Sequence, residues 1–593
     1  MVTLRCTNPT GIVATTSTRS HQPCALTHSV TLKSTVVKLR PNIFGAPYTV
    51  HAAATGSRAR AFLGRAEAQV PRATLTKAVR KLSFAIQANE MATNLVFVAS
   101  ECAPWSCGLG DMASALPKAL AERGHRVMVV VPRYCNYPEA YDTGVRVSYE
   151  VFGKAHEVGY FHAFVDGVDF VFIDHPCFHD VAHSIHSGDR MSQNFRFSLL
   201  SKAALEAVWH VAPGGYPYED LNTVFIANGW QTALVPFYLN ALYRDQGKML
   251  GARSILVLHN LAFQGRGPFG EVLSLDIPKQ YLEHFHLDDL FGGPCMNTLK
   301  AGLLEAHRWV AVSNGYAEEI QTQKGGMGLA PTLQSQTWKM NGVVNGIDYD
   351  AWSPDRDAYL EEADAYTTYG FTREGILEGK AQCKAALQQE LGLPAGPHVP
   401  LLAFVGQLDT NKGVDMIFEA AGWLMEQDIQ LVLLGCGDSD FEDRMRSLEE
   451  HHGHKCKAWV GQSVEMEHRI IAASDILLMP SRFEPCGLNQ MYAQRYGTVP
   501  VVQAVGGLQD TVESFNPWEN SGSGWMFEPN DMRHVETRRF IDTVNDALTT
   551  YREYRESFIG IQLRGMAKEF SWDAAAKSYE DIIIQAKQDD YRG

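Results

Sequence analysis

Five short segments combine glycines with charged or polar side chains, and each follows an apolar run. They lie at residues 107–111, 259–265, 406–413, 481–490 and 506–511. Glycine lets a backbone approach a ligand closely, and the free amides of a helix that begins there point towards an anion. These five segments therefore indicate a site for a phosphorylated ligand, although Gly-rich turns between strand and helix occur in most α/β proteins.

Single side chains in these segments could take part in the transfer of a sugar from a diphosphate. Lys412 precedes a helix-like stretch and could neutralise a phosphate; a solvated lysine is the alternative. Glu484 could hold sugar hydroxyls, or could be a capped acid of a loop. His259, at the end of an apolar run, could donate to a hydroxyl or support developing positive charge through its carbonyl, and a structural histidine is the alternative. The last two glycine-containing segments follow one another as two strand–loop–helix units, which makes a common site the better interpretation.

The spacing of Asp438 and Asp440 is that of a metal-binding Asp-x-Asp element. These acids open a charged helix-like segment, however, and the solvated acids of a helix start explain them better. The eleven cysteines have no metal-like spacing, which predicts mostly buried thiols, with Cys102 and Cys107 close to a candidate site. The sequence therefore predicts no metal and no cofactor.

Positioning these segments requires two sets of parallel strands. Continuous apolar runs alternate with helix-like stretches, as in sheets covered on both faces. The runs lie at 95–99, 127–131, 170–173, 224–226, 254–258 and 310–312 and, after Gly342, at 401–405, 430–434, 458–460, 476–479 and 499–502. They predict an α/β protein with two Rossmann-like doubly wound domains facing across a cleft, at 90–340 and 341–570, with a C-terminal helix in 571–593 that returns to the first domain. The polar residues 348–379 predict an interdomain connection and an exposed insertion.

Charge is distributed unevenly along the 593 residues. Residues 1–89 contain twelve Lys and Arg and one acid, Glu67, so the rest of the chain has a net charge of −26, since the whole has −15. The basic stretch, rich in Ser, Thr and Ala, predicts a transit peptide, with a disordered tail as the alternative. The acidic remainder disfavours nucleic acid and anionic membranes as partners, and no apolar run approaches the roughly 20 residues of a membrane span.

From about residue 94 onwards, the sequence resembles the family of bacterial glycogen synthases and plant starch synthases. Similar segments include 124–128, 174–176, 259–265, 344–348 and the tail that contains Trp572. The segment Ser-Arg-Phe-Glu-Pro-Cys-Gly-Leu-Asn-Gln at 481–490 is more similar to soluble class I/II starch synthases than to the granule-bound form.

This resemblance implies a GT-B fold in a plastid stromal enzyme that transfers glucose from ADP-glucose, without a metal and with retention, to the non-reducing end of an α-1,4-glucan such as amylopectin. It implies that Asp111 and His259 contact the donor glucose, that Lys412 holds the diphosphate, and that Glu484 holds the sugar and supports the reacting centre. It assigns further nucleotide-sugar contacts to Gly108, Gly110, Asn345, Gln407, Leu488, Gly506 and Gly507.

Several positions depart from the family pattern at the expected phosphate site. The loop K-T-G-G-L-G-D is two residues shorter here and has no lysine, and Gln407 stands where G-R-L has arginine. Residues 228–231 read Asn-Gly-Trp-Gln instead of N-D-W-H, and Val505 replaces a hydroxyl residue. Losing two cations from one diphosphate site would cost on the order of 10²–10⁴ in rate.

Two functions follow from these observations. The first is an active ADP-glucose-dependent starch synthase. The alternative is a catalytically impaired homologue that binds glucan or other enzymes of starch biosynthesis as a scaffolding subunit. A glycogen phosphorylase is disfavoured because the loops are more similar to those of synthases.

Overall fold

The computed structural model describes four short N-terminal strands and residues 92–589, apart from 104, 106–109, 180, 182–186, 219–220 and 289–291. The four strands pair within the unit Met1–Met91, in the order β1-β2-β4-β3. They are β1 (Val2–Thr7), β2 (Gly11–Thr16), β3 (Thr35–Leu39) and β4 (Tyr48–Ala52). The transit-peptide prediction for 1–89 otherwise falls outside the described residues.

The second unit, Ala92–Gly593, contains two large sheets. The first has nine strands in the order β16-β15-β11-β10-β5-β6-β9-β8-β7. Its strands, with those of a small antiparallel sheet (β12-β14-β13), are β5 (Asn94–Val98), β6 (Arg126–Pro132), β7 (Tyr141–Val151), β8 (Lys154–Val165), β9 (Val168–Asp174), β10 (Thr223–Asn228), β11 (Arg253–Leu258), β12 (Arg266–Pro268), β13 (His286–Asp288), β14 (Pro294–Asn297), β15 (Arg308–Ala311) and β16 (Met340–Gly342). The seven strands from β16 to β9 in this order are parallel, and each of the six apolar runs expected here overlaps a strand.

The second sheet has six parallel strands in the order β19-β18-β17-β20-β21-β22. They are β17 (Leu401–Val405), β18 (Gln430–Gly435), β19 (Cys456–Val460), β20 (Ile476–Met479), β21 (Val499–Gln503) and β22 (Trp525–Phe527). Counted along the chain, this is the 3-2-1-4-5-6 order of a dinucleotide-binding domain. Strand order reverses between β17 and β20, where ligands of such sheets bind.

Helices cover the sheets on both faces. The α-helices are α1 (Gly110–Glu122), α2 (Pro176–His179), α3 (Arg190–His210), α4 (Leu234–Tyr238), α5 (Thr298–Glu305), α6 (Asn314–Glu319), α7 (Ala330–Ser335), α8 (Ala358–Glu361), α9 (Ala381–Glu390), α10 (Val414–Glu426), α11 (Ser439–His452), α12 (Val464–Ala473), α13 (Asn489–Arg495), α14 (Gly506–Thr511), α15 (Arg533–Glu553), α16 (Arg555–Met566) and α17 (Trp572–Gln588). Short 3₁₀ or π segments lie at Pro213–Gly215, Trp230–Thr232, Leu239–Tyr243, Arg244–Gln246, Phe269–Leu275, Lys279–Phe285, Thr337–Lys339 and Gly375–Lys380. No helix in the described part of the chain is both long and apolar enough to cross a bilayer.

The two domains have separate hydrophobic cores. One core joins residues between 95 and 343 with those of α17, and two others fill the region from 347 to 566. Central strands are buried on both faces, and Leu95, Val96, Phe97 and Val98 of β5 have no exposed surface. Such strands need apolar residues at consecutive positions, which is why they stand out in the sequence.

Residues 348–379 were expected to form the end of the interdomain connection and an exposed insertion; 17 of these 32 residues are exposed, but others anchor the segment in a core. Leu360, Tyr369 and Ile376 are buried in a core of the second domain. Trp352 stacks on the rings of His468 and Tyr492, with centroids 3.6 and 3.8 Å away. The segment lacks a regular apolar period because its side chains enter the core from turns and single helical turns.

The chain passes between the two domains twice, and the two crossings lie side by side. The first runs through Ile347, whose N–H donates to the carbonyl of Phe570 on the second, at 2.7 Å. After the second crossing, α17 packs against α1 of the first domain, and Arg123, the residue after α1, pairs with Asp573 and Glu580 at 2.8 and 2.7 Å.

Candidate active site

A cleft of about 750 Å³ lies between the carboxyl ends of the two sheets. Both domains contribute to it, together with the first crossing and the start of α17. Six of the predicted residues line it: His259, Asn345, Gln407, Lys412, Glu484 and Leu488. Since parallel strands all end at the same edge of a sheet, residues far apart in sequence meet here.

Two loops of the second domain meet at the point where strand order reverses. The loop 406–413 follows β17, and the loop 480–488 follows β20. The carbonyl of Asn411 accepts the N–H of Arg482 at 2.7 Å. A Cβ atom on Gly413 would lie 1.9 Å from the carbonyl oxygen of Pro480, so only glycine allows this approach, and φ of +70° there also favours glycine.

Lys412 and Glu484 form the charged centre of the cleft. Lys412 Nζ donates to Glu484 Oε2 at 2.6 Å, and the lysine side chain is 32% exposed against 9% for the glutamate. Lys412 is also held through its N–H, which donates to Asp409 at 2.8 Å, just before α10 begins. A cation just before the start of a 13-residue helix therefore lies beside a nearly buried carboxylate.

His259 faces this pair from the first domain, directly after β11. Its Nε2 lies 3.1 Å from Oδ1 of Asn228, at the end of the neighbouring strand β10. Burial lowers the pKa of His259 to about 4. The imidazole is therefore neutral at physiological pH and presents a hydrogen-bonding group rather than a charge.

The loop after β5 is described only in part. Gly108 lies outside the described residues, whereas Gly110 and Asp111 are the first residues of α1. Helix α1 contributes Met112, Ser114 and Ala115 to the cleft, so its N-terminal half borders the site.

Asn345, Gln407 and Leu488 line the cleft between these charged groups. The buried Oδ1 of Asn345 accepts no hydrogen bond from any described residue. Gln407 stands just after β17, on the wall that also carries Lys412. Because the side-chain amide of Gln407 is uncharged, Lys412 is the only cationic side chain on this wall among the described cleft residues.

Gly506 and Gly507, expected to contact the nucleotide sugar, lie behind Glu484 and not among the residues that line the cleft. The N–H of Gly507 donates to the carbonyl of Glu484 at 3.0 Å. A Cβ atom on Gly506 would lie 2.2 Å from that carbonyl oxygen. The two glycines thus let α14 pack against the backbone that carries Glu484.

The short helices α6 and α14 connect the two domains beside the cleft. The N–H of Gly506, at the start of α14, donates to Glu319 Oε1 at 2.6 Å. In return, Asp510 of α14 accepts the amides of Asn314 and Gly315, at the start of α6. Burial raises the pKa of both the Glu319 and Asp510 carboxyl groups. Each helix is therefore capped by a carboxylate from the other domain.

Several cleft residues were not singled out from the sequence. Phe263 is 64% exposed at the cleft surface, where an aromatic face is accessible to a ligand. Its only sequence signal was its place in the segment 259–265. The cleft is also lined by Trp352, Tyr492 and Trp572. The sequence pattern placed these residues in a connecting segment or in helices, not in the loops that follow strands.

The Asp-x-Asp spacing belongs to a helix start. Asp438 caps α11 by accepting the N–H of Asp440 at 2.9 Å. Among the described residues, no group of three or more His, Cys, Asp or Glu side chains is arranged to hold a metal ion. Burial raises the pKa of the Cys102 and Cys486 thiols to about 12, so both remain protonated and unreactive. Cys107 lies outside the described residues.

Known proteins share this architecture and sequence. The family "Starch synthase catalytic domain" matches residues 94–335, and "Glycosyl transferases group 1" matches 389–559. Soluble starch synthase 2-1 of Oryza sativa subsp. japonica, named chloroplastic/amyloplastic, is 54% identical over 496 residues, 83% of this chain and 65% of that protein. Soluble starch synthase 2-2 from the same source is 52% identical over 496 residues, 83% of this chain and 70% of that protein.

Among solved structures, the catalytic domain of starch synthase IV from Arabidopsis thaliana, bound to ADP and acarbose, is similar with a TM-score of 0.72 and 28% identity. The match covers 84% of this chain and 100% of that domain. Two Rossmann-like domains facing across a cleft define a glycosyltransferase of the GT-B class, which confirms the expected fold. With the sequence identities, the chain belongs to the starch synthase family. It spans just under two thirds of the length of soluble starch synthase 2-1.

Proposed function

We propose that this protein is a starch synthase that transfers glucose from ADP-glucose, with retention, to the non-reducing end of an α-1,4-glucan in the plastid stroma. The observation that carries the proposal is the pair Lys412–Glu484 at the strand-order reversal, facing His259 across the cleft. The donor is an anionic diphosphate attached to a neutral sugar, and this arrangement offers one group for each part.

Lys412, which lines the cleft, is suited to the diphosphate, whose negative charge increases as the bond to glucose breaks. Glu484 and His259 are suited to the sugar hydroxyls, and Asn345 lines the same cleft. Asp111 remains a proposed contact to the donor glucose. The charge of the leaving group is then carried by protein groups, and we propose that the reaction needs no metal or other cofactor.

Support for the glucan acceptor comes from the first-domain side of the cleft. The exposed ring of Phe263 can pack against the apolar face of a sugar ring. The structurally similar starch synthase IV domain binds acarbose and ADP. The relatives' names place them in chloroplasts or amyloplasts, and the basic residues 1–89 of this chain fit a plastid transit peptide.

The decisive test is incorporation of labelled glucose from ADP-glucose into a maltooligosaccharide primer by the purified chain. Glu484→Gln, which keeps the shape and removes the charge, is the control, and UDP-glucose tests the base. Transfer no faster than that of the control would refute the enzyme. If glucan binding persisted without transfer, a catalytically impaired, scaffolding homologue would be the better description.

A further inference from the structure

Asn228 is a buried asparagine whose side chain has a fixed orientation. Its Nδ2 donates to the carbonyls of Val98 and Ile226, at 3.2 and 3.3 Å, and the residue is 2% exposed. Backbone carbonyls only accept hydrogen bonds, so the amide nitrogen must face them. The amide oxygen must then face the other way, towards Nε2 of His259, 3.1 Å away.

The backbone around Asn228 is held as firmly as its side chain. Thr232 Oγ1 donates to the carbonyl of Asn228 at 3.0 Å. The next residue, Gly229, donates its N–H to the carbonyl of Val257 at 3.0 Å and turns the chain at φ +72°. Strand β10, which ends at Asn228, lies between β5 and β11 in the centre of the sheet. The amide oxygen therefore cannot follow the imidazole if the ring moves.

This geometry decides which nitrogen of His259 carries the proton. The amide oxygen of Asn228 can only accept, so Nε2 must donate. The neutral ring then has a lone pair on Nδ1, and this nitrogen makes no hydrogen bond within the described part of the chain. His259 is half-buried in the wall of the cleft, opposite Lys412 and Glu484.

We propose that Asn228 is a positioning residue that holds His259 as the Nε2–H tautomer, so that Nδ1 accepts a hydrogen bond from a hydroxyl of the donor sugar. The identity of that sugar rests on the proposed function. The role accounts for the first residue of the segment 228–231, which keeps its asparagine although the acid and the histidine of the family pattern are missing.

The first test measures the tautomer directly in the wild-type full chain labelled with ¹⁵N-histidine. Loss of a signal in His259→Gln identifies the resonances of His259. The proposal expects a neutral ring with the proton on Nε2 at pH 7.5, and a proton on Nδ1 would overturn it. This measurement needs no activity and no Asn228 variant, so it is decisive even if the protein transfers no glucose.

The second test replaces the acceptor, in Asn228→Ala. The proposal expects a mixture of both tautomers and a fall of about ten- to a hundredfold in kcat/KM for ADP-glucose, with the KM for the glucan primer unchanged. Asn222→Ala is the matched control, because Asn222 precedes the same strand and donates to the carbonyl of Ala92. That control should retain wild-type kinetics.

Two outcomes of the second test would overturn the proposal. In the first, Asn228→Ala keeps a pure Nε2–H ring and wild-type donor kinetics. In the second, the variant loses thermal stability and its donor and primer parameters worsen together while the tautomer is unchanged. The second outcome would mean that Asn228 only supports the fold of β10.

Discussion

Replacing Lys412 by methionine keeps most of the side-chain length and removes its charge. In the wild-type protein, Nζ lies 2.6 Å from Glu484 Oε2. A hydrogen bond to a charged group contributes about 1.5–3 kcal/mol. Because the lysine is 32% exposed, solvent screens part of its interaction with the pair and with a diphosphate. We therefore expect kcat/KM for ADP-glucose to fall by about ten- to a hundredfold, since each 1.36 kcal/mol is a factor of ten.

The assay is labelled-glucose transfer at a saturating primer concentration, with ADP-glucose varied. Lys324→Met is the matched control, since Lys324 is 91% exposed and pairs only with the equally exposed Asp531 among the contacts described. Combining Lys412→Met with Glu484→Gln should cost less than the product of the two single losses, because the residues act as a pair. Wild-type kcat/KM in Lys412→Met, or strictly multiplicative losses, would refute the reasoning.

Three further perturbations test other parts of the site. Gln407→Arg adds a cation to the wall of Lys412 and should raise kcat by about tenfold or more in the same assay; an unchanged rate would count against a weakened diphosphate site. Asp510→Ala removes the carboxylate cap between the domains and should increase the radius of gyration measured by X-ray scattering, with Glu519→Ala, on an exposed loop, as control. Burial lowers the pKa of His259 from 6.5 to about 4, so the folded protein binds fewer protons than the unfolded chain in this range. The wild-type unfolding midpoint should therefore decrease relative to that of His259→Gln as pH falls from about 6.5 to 4; parallel curves would contradict this.

Both sheets could be predicted from the sequence because their central strands are buried on two faces. The hairpin β7–β8 was not predicted, because much of β7 is exposed and its side chains alternate between polar and apolar. Strand order along the chain does not reveal spatial order, so the placement of β17 beside β20 could be inferred only from the resemblance to a family.

Site residues in the loops that follow strands, such as His259 and Glu484, were found by the same logic. The role of Asn228 could not be found, since it depends on the direction of one amide within a packed sheet. Gly506 and Gly507 carry a typical anion-binding pattern, yet their amides are used by Glu319 and by the backbone of Glu484. The local sequence shows that backbone N–H donors are present at these glycines. Which acceptors they bind depends on the packing of segments that are far apart in the chain.

The hydrogen bond between Ile347 and Phe570 has a mechanical consequence. The two interdomain crossings are fastened together there, and the carboxylate caps of α6 and α14 join the domains at a second place beside the cleft. The line through these two places is therefore the axis about which a rotation of one domain would break neither attachment.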